Sequence, residues 1–188
     1  MGIIFCGFSL SHAQETLQGF DLQVKQWAEE CRAQVVSQLE QLLKSERLKE
    51  TQLFDTFYIP IPNTSPQKYH TQYDRISDQA IQEPLDKCLA KDERIAFVVA
   101  VDVNGYLPTH NQKYSQPLTG KADIDLNNNR TKRIFNDRTG LAAAKNTEPF
   151  LLQRYQRDTG EQMSDLSVPI IIRGKHWGAL RVGYKTTK

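Results

Sequence analysis

Apolar residues in the first quarter of the chain fall at Val24, Ala28, Cys31, Val35, Leu39 and Leu42, with Trp27, Val36 and Leu43 broadening the stripe. Spacings of three and four predict one long amphipathic helix over residues 22–49, about 40 Å long at 1.5 Å per residue. Asp21 is a suitable N-cap, and no glycine or proline interrupts the run. Such a stripe is longer than one small domain is expected to bury. A homodimer through the N-terminal helix is therefore expected, with a helix wrapped along its own domain as the alternative.

Residues 58–74 hold three prolines and three tyrosines and read as an ordered irregular loop, since that many prolines exclude a continuous helix. A second amphipathic helix follows, with Ile76, Ala80, Ile81, Leu85, Cys88 and Leu89 on one face and Pro84 expected to kink or restart it. The pattern then changes period. Ala96-Phe97-Val98-Val99-Ala100-Val101-Asp102-Val103 is a continuous apolar run, as in a central strand covered on both faces. Asn104-Gly105 signals a type I′ hairpin, with residues 106–111 as the returning strand. Residues 112–147 are polar and irregular around an Ala-rich helical piece at 139–145. Three strands at 150–157, 163–173 and 176–184 then form a meander with turns at Asp158-Thr159-Gly160 and Gly174-Lys175. With no βαβ alternation, the expected class is α+β: a five-stranded antiparallel sheet preceded by two helices.

Length and charge narrow the function classes. The chain has 188 residues, enough for one ordinary core, and 24 Lys plus Arg against 22 Asp plus Glu give a net charge of +2. That balance provides no field for nucleic acid, and no apolar stretch is long enough for a membrane span. Residues 1–13 run Met1-Gly2-Ile3-Ile4-Phe5-Cys6-Gly7-Phe8-Ser9-Leu10-Ser11-His12-Ala13, apolar and then small, ahead of polar Gln14. This matches the second half of a signal peptide without the cationic front, consistent with a truncated start. A periplasmic protein is expected, divided into a signal peptide at 1–13, a helix at 14–49 and a domain at 50–188. Loss of Cys6 leaves Cys31 and Cys88, which in an oxidising compartment either form a disulfide or remain as two unpaired thiols on apolar stripes.

Three segments together resemble a known family. They are Val101-Asp102-Val103-Asn104-Gly105-Tyr106-Leu107-Pro108-Thr109-His110-Asn111, the segment Asn129-Arg130-Thr131-Lys132-Arg133-Ile134-Phe135-Asn136-Asp137-Arg138-Thr139-Gly140, and Val168-Pro169-Ile170-Ile171-Ile172-Arg173-Gly174-Lys175-His176-Trp177-Gly178-Ala179-Leu180-Arg181-Val182-Gly183-Tyr184. Residues 50–185 are similar to the extracytoplasmic Cache or PAS-like sensor domains of bacterial methyl-accepting chemotaxis receptors. The resemblance implies a ligand-binding sensor module, here a periplasmic relative without the signalling part, acting through a membrane receptor or as a dimer.

In PAS-like folds the crossover over the open sheet face lines the ligand cavity. The resemblance thus places a pocket between that face and residues 112–147. Tyr106, His110, Tyr114 and Phe135 are its expected wall, and Arg133 and Arg138 offer planar forks to an anionic ligand. The bland alternative for those arginines is a solvated basic face. Non-covalent haem, with His110 or His176 as axial ligand and Met163 opposite, is a second reading, although His70, His110 and His176 show no metal-ligand spacing. No nucleophile elbow, phosphate loop or dinucleotide fingerprint occurs, which leaves a small periplasmic enzyme of unknown class as the remaining alternative.

Overall fold

A computed structural model describes residues 16–156 and 162–186. The signal-peptide segment, including Cys6, and the Asp158-Thr159-Gly160 turn lie outside the described residues. Helix α1 spans Gly19–Lys44, and the short α2 spans Glu50–Leu53. The loop rich in proline and tyrosine contains a small hairpin, β1 at Ile59–Ile61 against β2 at Lys68–His70. Helix α3 covers Asp74–Leu89 and continues through Pro84 as one element, so the expected restart does not occur. Strand β3 at Ile95–Asp102 follows, then β4 at Tyr106–Leu107, a 3-10 turn at Gln112–Tyr114, α4 at Ala122–Asn128, β5 at Arg133–Ile134 and α5 at Arg138–Lys145. Strands β6 at Leu151–Gln156, β7 at Gln162–Ile172 and β8 at Lys175–Lys185 form the expected meander.

The class is α+β, and the main sheet is antiparallel in the order β3-β8-β7-β6. It has four strands rather than the five expected, because β4 leaves the sheet and pairs with β5. The turn geometry explains the difference. A type I′ hairpin needs positive φ at both Asn104 and Gly105, but only Gly105 has it, at 79°. The turn instead closes one residue earlier, with the Gly105 N–H donating to the Asp102 carbonyl at 2.9 Å. The Asp102 carboxylate also accepts from the backbone N–H groups of Asn104 and Tyr106, at 2.9 and 3.0 Å. The chain is thereby turned across the sheet instead of back along it.

Helix α1 packs on α3 and on strands β7 and β8, with Val24, Ala28, Cys31, Val35 and Leu39 all buried. The buried part of its apolar stripe is thus covered within the chain, as in the alternative of a helix wrapped along its own domain. The sheet wraps under the full helix because β7 and β8 are eleven residues each. Cys31 and Cys88 meet where α1 crosses α3. Both are free thiols in this structure. Each donates to a carbonyl of the opposite helix, Cys31 Sγ to Pro84 O at 3.6 Å and Cys88 Sγ to Trp27 O at 3.8 Å.

Strand β3 is covered on both faces, as its apolar run requires. Val98 and Ala100 enter the main core with α1 and α3, while Val99 and Val101 face a smaller cluster with Leu107, Ala144, Phe97 and Phe135. The main core should be intolerant of cavities. Leu39→Ala, at a site with no exposure, is expected to cost about 2–5 kcal/mol in urea unfolding followed by tryptophan fluorescence. A loss below about 1 kcal/mol would mean that α1 does not dock on the sheet in solution.

Candidate functional site

The second face of the sheet carries a cavity of about 250 Å³. Its floor is Ala96, Phe97, Val99 and Val101 of β3, with Arg181 from β8 and Tyr155 from β6 at one side. Residues 107–139 form the roof and walls through Leu107, His110, Tyr114, Arg130, Phe135, Asp137 and Thr139. The cavity therefore lies between the open sheet face and the crossover.

Three of the six expected wall residues line it: His110, Tyr114 and Phe135. Tyr106 does not. Side chains alternate across a strand, so with Leu107 facing the cavity, Tyr106 turns into the main core, where its hydroxyl donates to the Tyr69 carbonyl at 2.8 Å. Arg133 sits behind the wall, its guanidinium 5.0 Å from the centre of the Phe135 ring and its buried Nη1 without a protein partner. Burial and the neighbouring Arg130 lower its affinity for a proton. Arg138 opens α5 and is exposed to solvent, outside the cavity.

The arginines that do reach the cavity are Arg130 and Arg181. Arg181 is buried and forked onto the fully buried Asp165, Nη2 to Oδ2 at 2.6 Å and Nε to Oδ1 at 3.3 Å. Burial works against the cation, but the Asp165 carboxylate prevails and holds its pKa above the ordinary value. Two of the five guanidinium N–H groups point at Asp165. The others belong to a head group clamped in place, and locking of this kind makes a donor selective rather than merely attractive. Sequence reasoning missed Arg181 because it lies inside a strand of the meander. The available signal was the single Asp in β7 and the single Arg in β8, the latter flanked by Leu180 and Val182.

His110 is 4% exposed, and its Nδ1 accepts the Asn111 N–H at 2.7 Å, which assigns the ring proton to Nε2. Burial, reinforced by Arg130, Lys113, Arg133 and Lys68, lowers its pKa to about 3. His110 is thus a neutral N–H donor, stacked edge-on against Tyr114 at 4.8 Å. The Asp137 carboxylate caps α5 by accepting the N–H groups of Thr139 and Gly140 at 3.0 and 3.1 Å. Gly140 has no room for a side chain, since a Cβ would collide with the carbonyl oxygen of Phe135, and Gly105 closes on the same oxygen from another direction. The Phe135 backbone thus lies close against both glycines, and its N–H donates to the Gly105 carbonyl at 2.8 Å.

The haem arrangement does not fit these residues. Met163 pairs with Lys185 near one end of the β7–β8 ladder, whereas His176 pairs with Ile171 near the other. That distance is roughly 25 Å at about 3.3 Å per residue, so the two cannot face one iron. His110 lines a cavity below the usual range of organic-cofactor sites, about 300–1,000 Å³. Among the described residues no group of three His, Cys, Asp or Glu side chains could hold a metal ion.

No family model matches the chain, and no curated protein matches it. Among solved structures, it is similar to an extracellular ligand binding receptor from Desulfohalobium retbaense DSM5692, with a TM-score of 0.41 and 14% identity over 88% of this chain and 25% of that one. It is also similar to the ligand binding domain of the Pseudomonas aeruginosa PAO1 amino acid chemoreceptor PctC in complex with GABA, with a TM-score of 0.31 and 15% identity over 88% of this chain and 64% of that one. The chain thus spans less than two thirds of either structure.

Neutral burial of His110 makes stability depend on pH. Its folded pKa lies below the unfolded value of about 6.5, so between pH 6.5 and 3 the unfolded chain binds the extra proton and stability falls as pH falls. From pH 7 to pH 5 this amounts to about 2 kcal/mol, an increment that His110→Gln should lack. Urea titrations of both proteins at the two pH values measure the difference, and equal losses would mean that His110 is already charged or solvated in the fold.

Proposed function

We propose that the protein is an extracytoplasmic sensor module that binds a small organic anion in the cavity beneath residues 107–139 and releases it unchanged. The observation that carries this reading is that Arg130, the neutral His110 and Arg181, itself clamped by Asp165, all line one cavity whose floor is apolar. Guanidinium and imidazole donors in the lining suit a carboxylate or a similar oxyanion, and an apolar floor suits a hydrocarbon body. A volume near 250 Å³ limits that body to the size of a short acid or a single ring. Export through residues 1–13 and coupling to a membrane receptor complete the proposal; both rest on the sequence pattern and the family resemblance.

A thermal-shift series with propionate, pyruvate, benzoate and phenylacetate, followed by calorimetry on the best binder, tests the site. Binding raises the melting temperature in proportion to RT ln(1 + [L]/Kd), and the ligand is recovered intact. Arg130→Ala should weaken binding by about 10- to 100-fold, as expected for loss of a charge-assisted contact. Arg138→Ala should change it less than twofold, because that side chain faces solvent. Equal losses in the two variants would reduce the effect to general surface charge, and chemical conversion of the ligand would make the protein an enzyme.

A further inference from the structure

Arg130 is the one cavity-lining arginine carried by a loop rather than a strand, so something must set its position. Its own N–H donates to the Tyr114 carbonyl at 2.8 Å. The carbonyls on either side of it, Asn129 O and Thr131 O, both accept from one ammonium group, Lys68 Nζ, at 3.0 and 2.7 Å. The third donor of that ammonium goes to Asn129 Oδ1 at 2.8 Å. Lys68 comes from β2, outside the crossover, and is only 4% exposed.

A buried lysine is ordinarily paired with a carboxylate. Lys68 instead spends all three N–H groups on neutral oxygens of the segment that presents Arg130, while Arg133 and Lys132 repel it and Asp125 is the acid that supports its charge. Retaining a desolvated cation there has a structural purpose, because three donors on one atom fix three acceptors in a single geometry. Its charge also adds to the positive potential felt at His110.

We infer that Lys68 is the positioning residue for Arg130: its ammonium clamps the backbone on both sides of that arginine and thereby holds the guanidinium at the cavity. This rests on the reading of the cavity as an anion site. The clamp has a built-in pH limit, since burial lowers the Lys68 pKa to about 8, helped by Arg133 and Lys132 and opposed by Asp125. Above that value the amine keeps only two hydrogens, and one of the three acceptors is released.

Two measurements separate the clamp from the ligand site. The first uses the protein without ligand and reads the hydrogen-exchange protection factor of the Arg130 amide, with Leu166 and Val182 in the central ladder of the main sheet as internal standards. In Lys68→Met the Arg130 protection should fall at least tenfold while the standards hold. In the wild type it should fall between pH 7 and pH 9.5, which keeps the test open if the variant does not fold. Unchanged protection in both would overturn the clamp, whatever binds in the cavity.

The second measurement titrates benzoate by calorimetry. Lys68→Met should weaken binding at least tenfold, the Lys68→Met/Arg130→Ala pair should be no weaker than Arg130→Ala alone, and wild-type affinity should decline as pH rises through about 8. Additive losses in the pair would show that Lys68 does not act through Arg130. Loss of Arg130 protection with unchanged benzoate affinity would overturn the positioning role, and no benzoate binding in the wild type would overturn the anion site and that role with it, while in either case the backbone clamp stood.

Discussion

One buried carboxylate organises the junction on which both faces of the sheet depend. Asp102, at the end of β3, accepts from the hydroxyls of Tyr58 and Tyr73 at 2.6 and 2.9 Å and from the backbone N–H groups of Asn104 and Tyr106. Burial raises its pKa, and these four hydrogen bonds work in the opposite direction to keep the charged form. Tyr58 precedes the small hairpin, Tyr73 stands at the start of α3, and Asn104 and Tyr106 bracket the turn into β4. A single side chain thus fixes where the helical layer begins and where the chain leaves the main sheet. Had the turn closed as an ordinary hairpin, β4 would have extended the sheet edge and there would be no roof over Val99 and Val101. The cavity exists because the chain was diverted.

The elements that were legible in the sequence are those governed by a single period. The stripe of α1, the apolar run of β3 and the meander of β6, β7 and β8 lie within a few residues of where periodicity puts them. What escaped depends on side chains acting across the fold. The partner exchange of β4 could not be read from Asn104-Gly105, because a carboxylate two residues upstream decides which turn forms. The pairing of β1 with β2 was hidden by prolines, which mark an edge strand as readily as a loop. The length of α1 misled in a different way: its stripe looked too long for one domain because two eleven-residue strands lying beneath it leave no trace in the helix itself.

The same division holds at the site. Expecting a cavity over the sheet needed the resemblance to PAS-like folds together with an apolar run that reads as a strand covered on both faces, and Tyr114 and Phe135 lie on the covering segment with His110 just ahead of it. Choosing among the cations needed the direction of each side chain. Arg133 and Arg138 sit in the densest run of charge, yet one stacks behind Phe135 and the other faces water. Arg181 stands alone among apolar neighbours, and that isolation marks a charge buried for a reason. Its partner Asp165 cancels most of its field, so what it offers the cavity is direction rather than net charge.

The two glycines that close on the Phe135 carbonyl have a bearing on how such a pocket can change over evolutionary time. Neither Gly105 nor Gly140 can accept even a methyl group without displacing the Phe135 carbonyl, so the backbone of the roof is constrained at this point. The opposite boundary is made of Val99 and Val101, whose backbones are secured by the ladder to β8 while their side chains are free to be exchanged for smaller or larger ones. Related chains that recognise different molecules should therefore differ along the floor and agree along the roof. Their ligand preference would drift through the valines of one strand, with the crossover passed on unaltered.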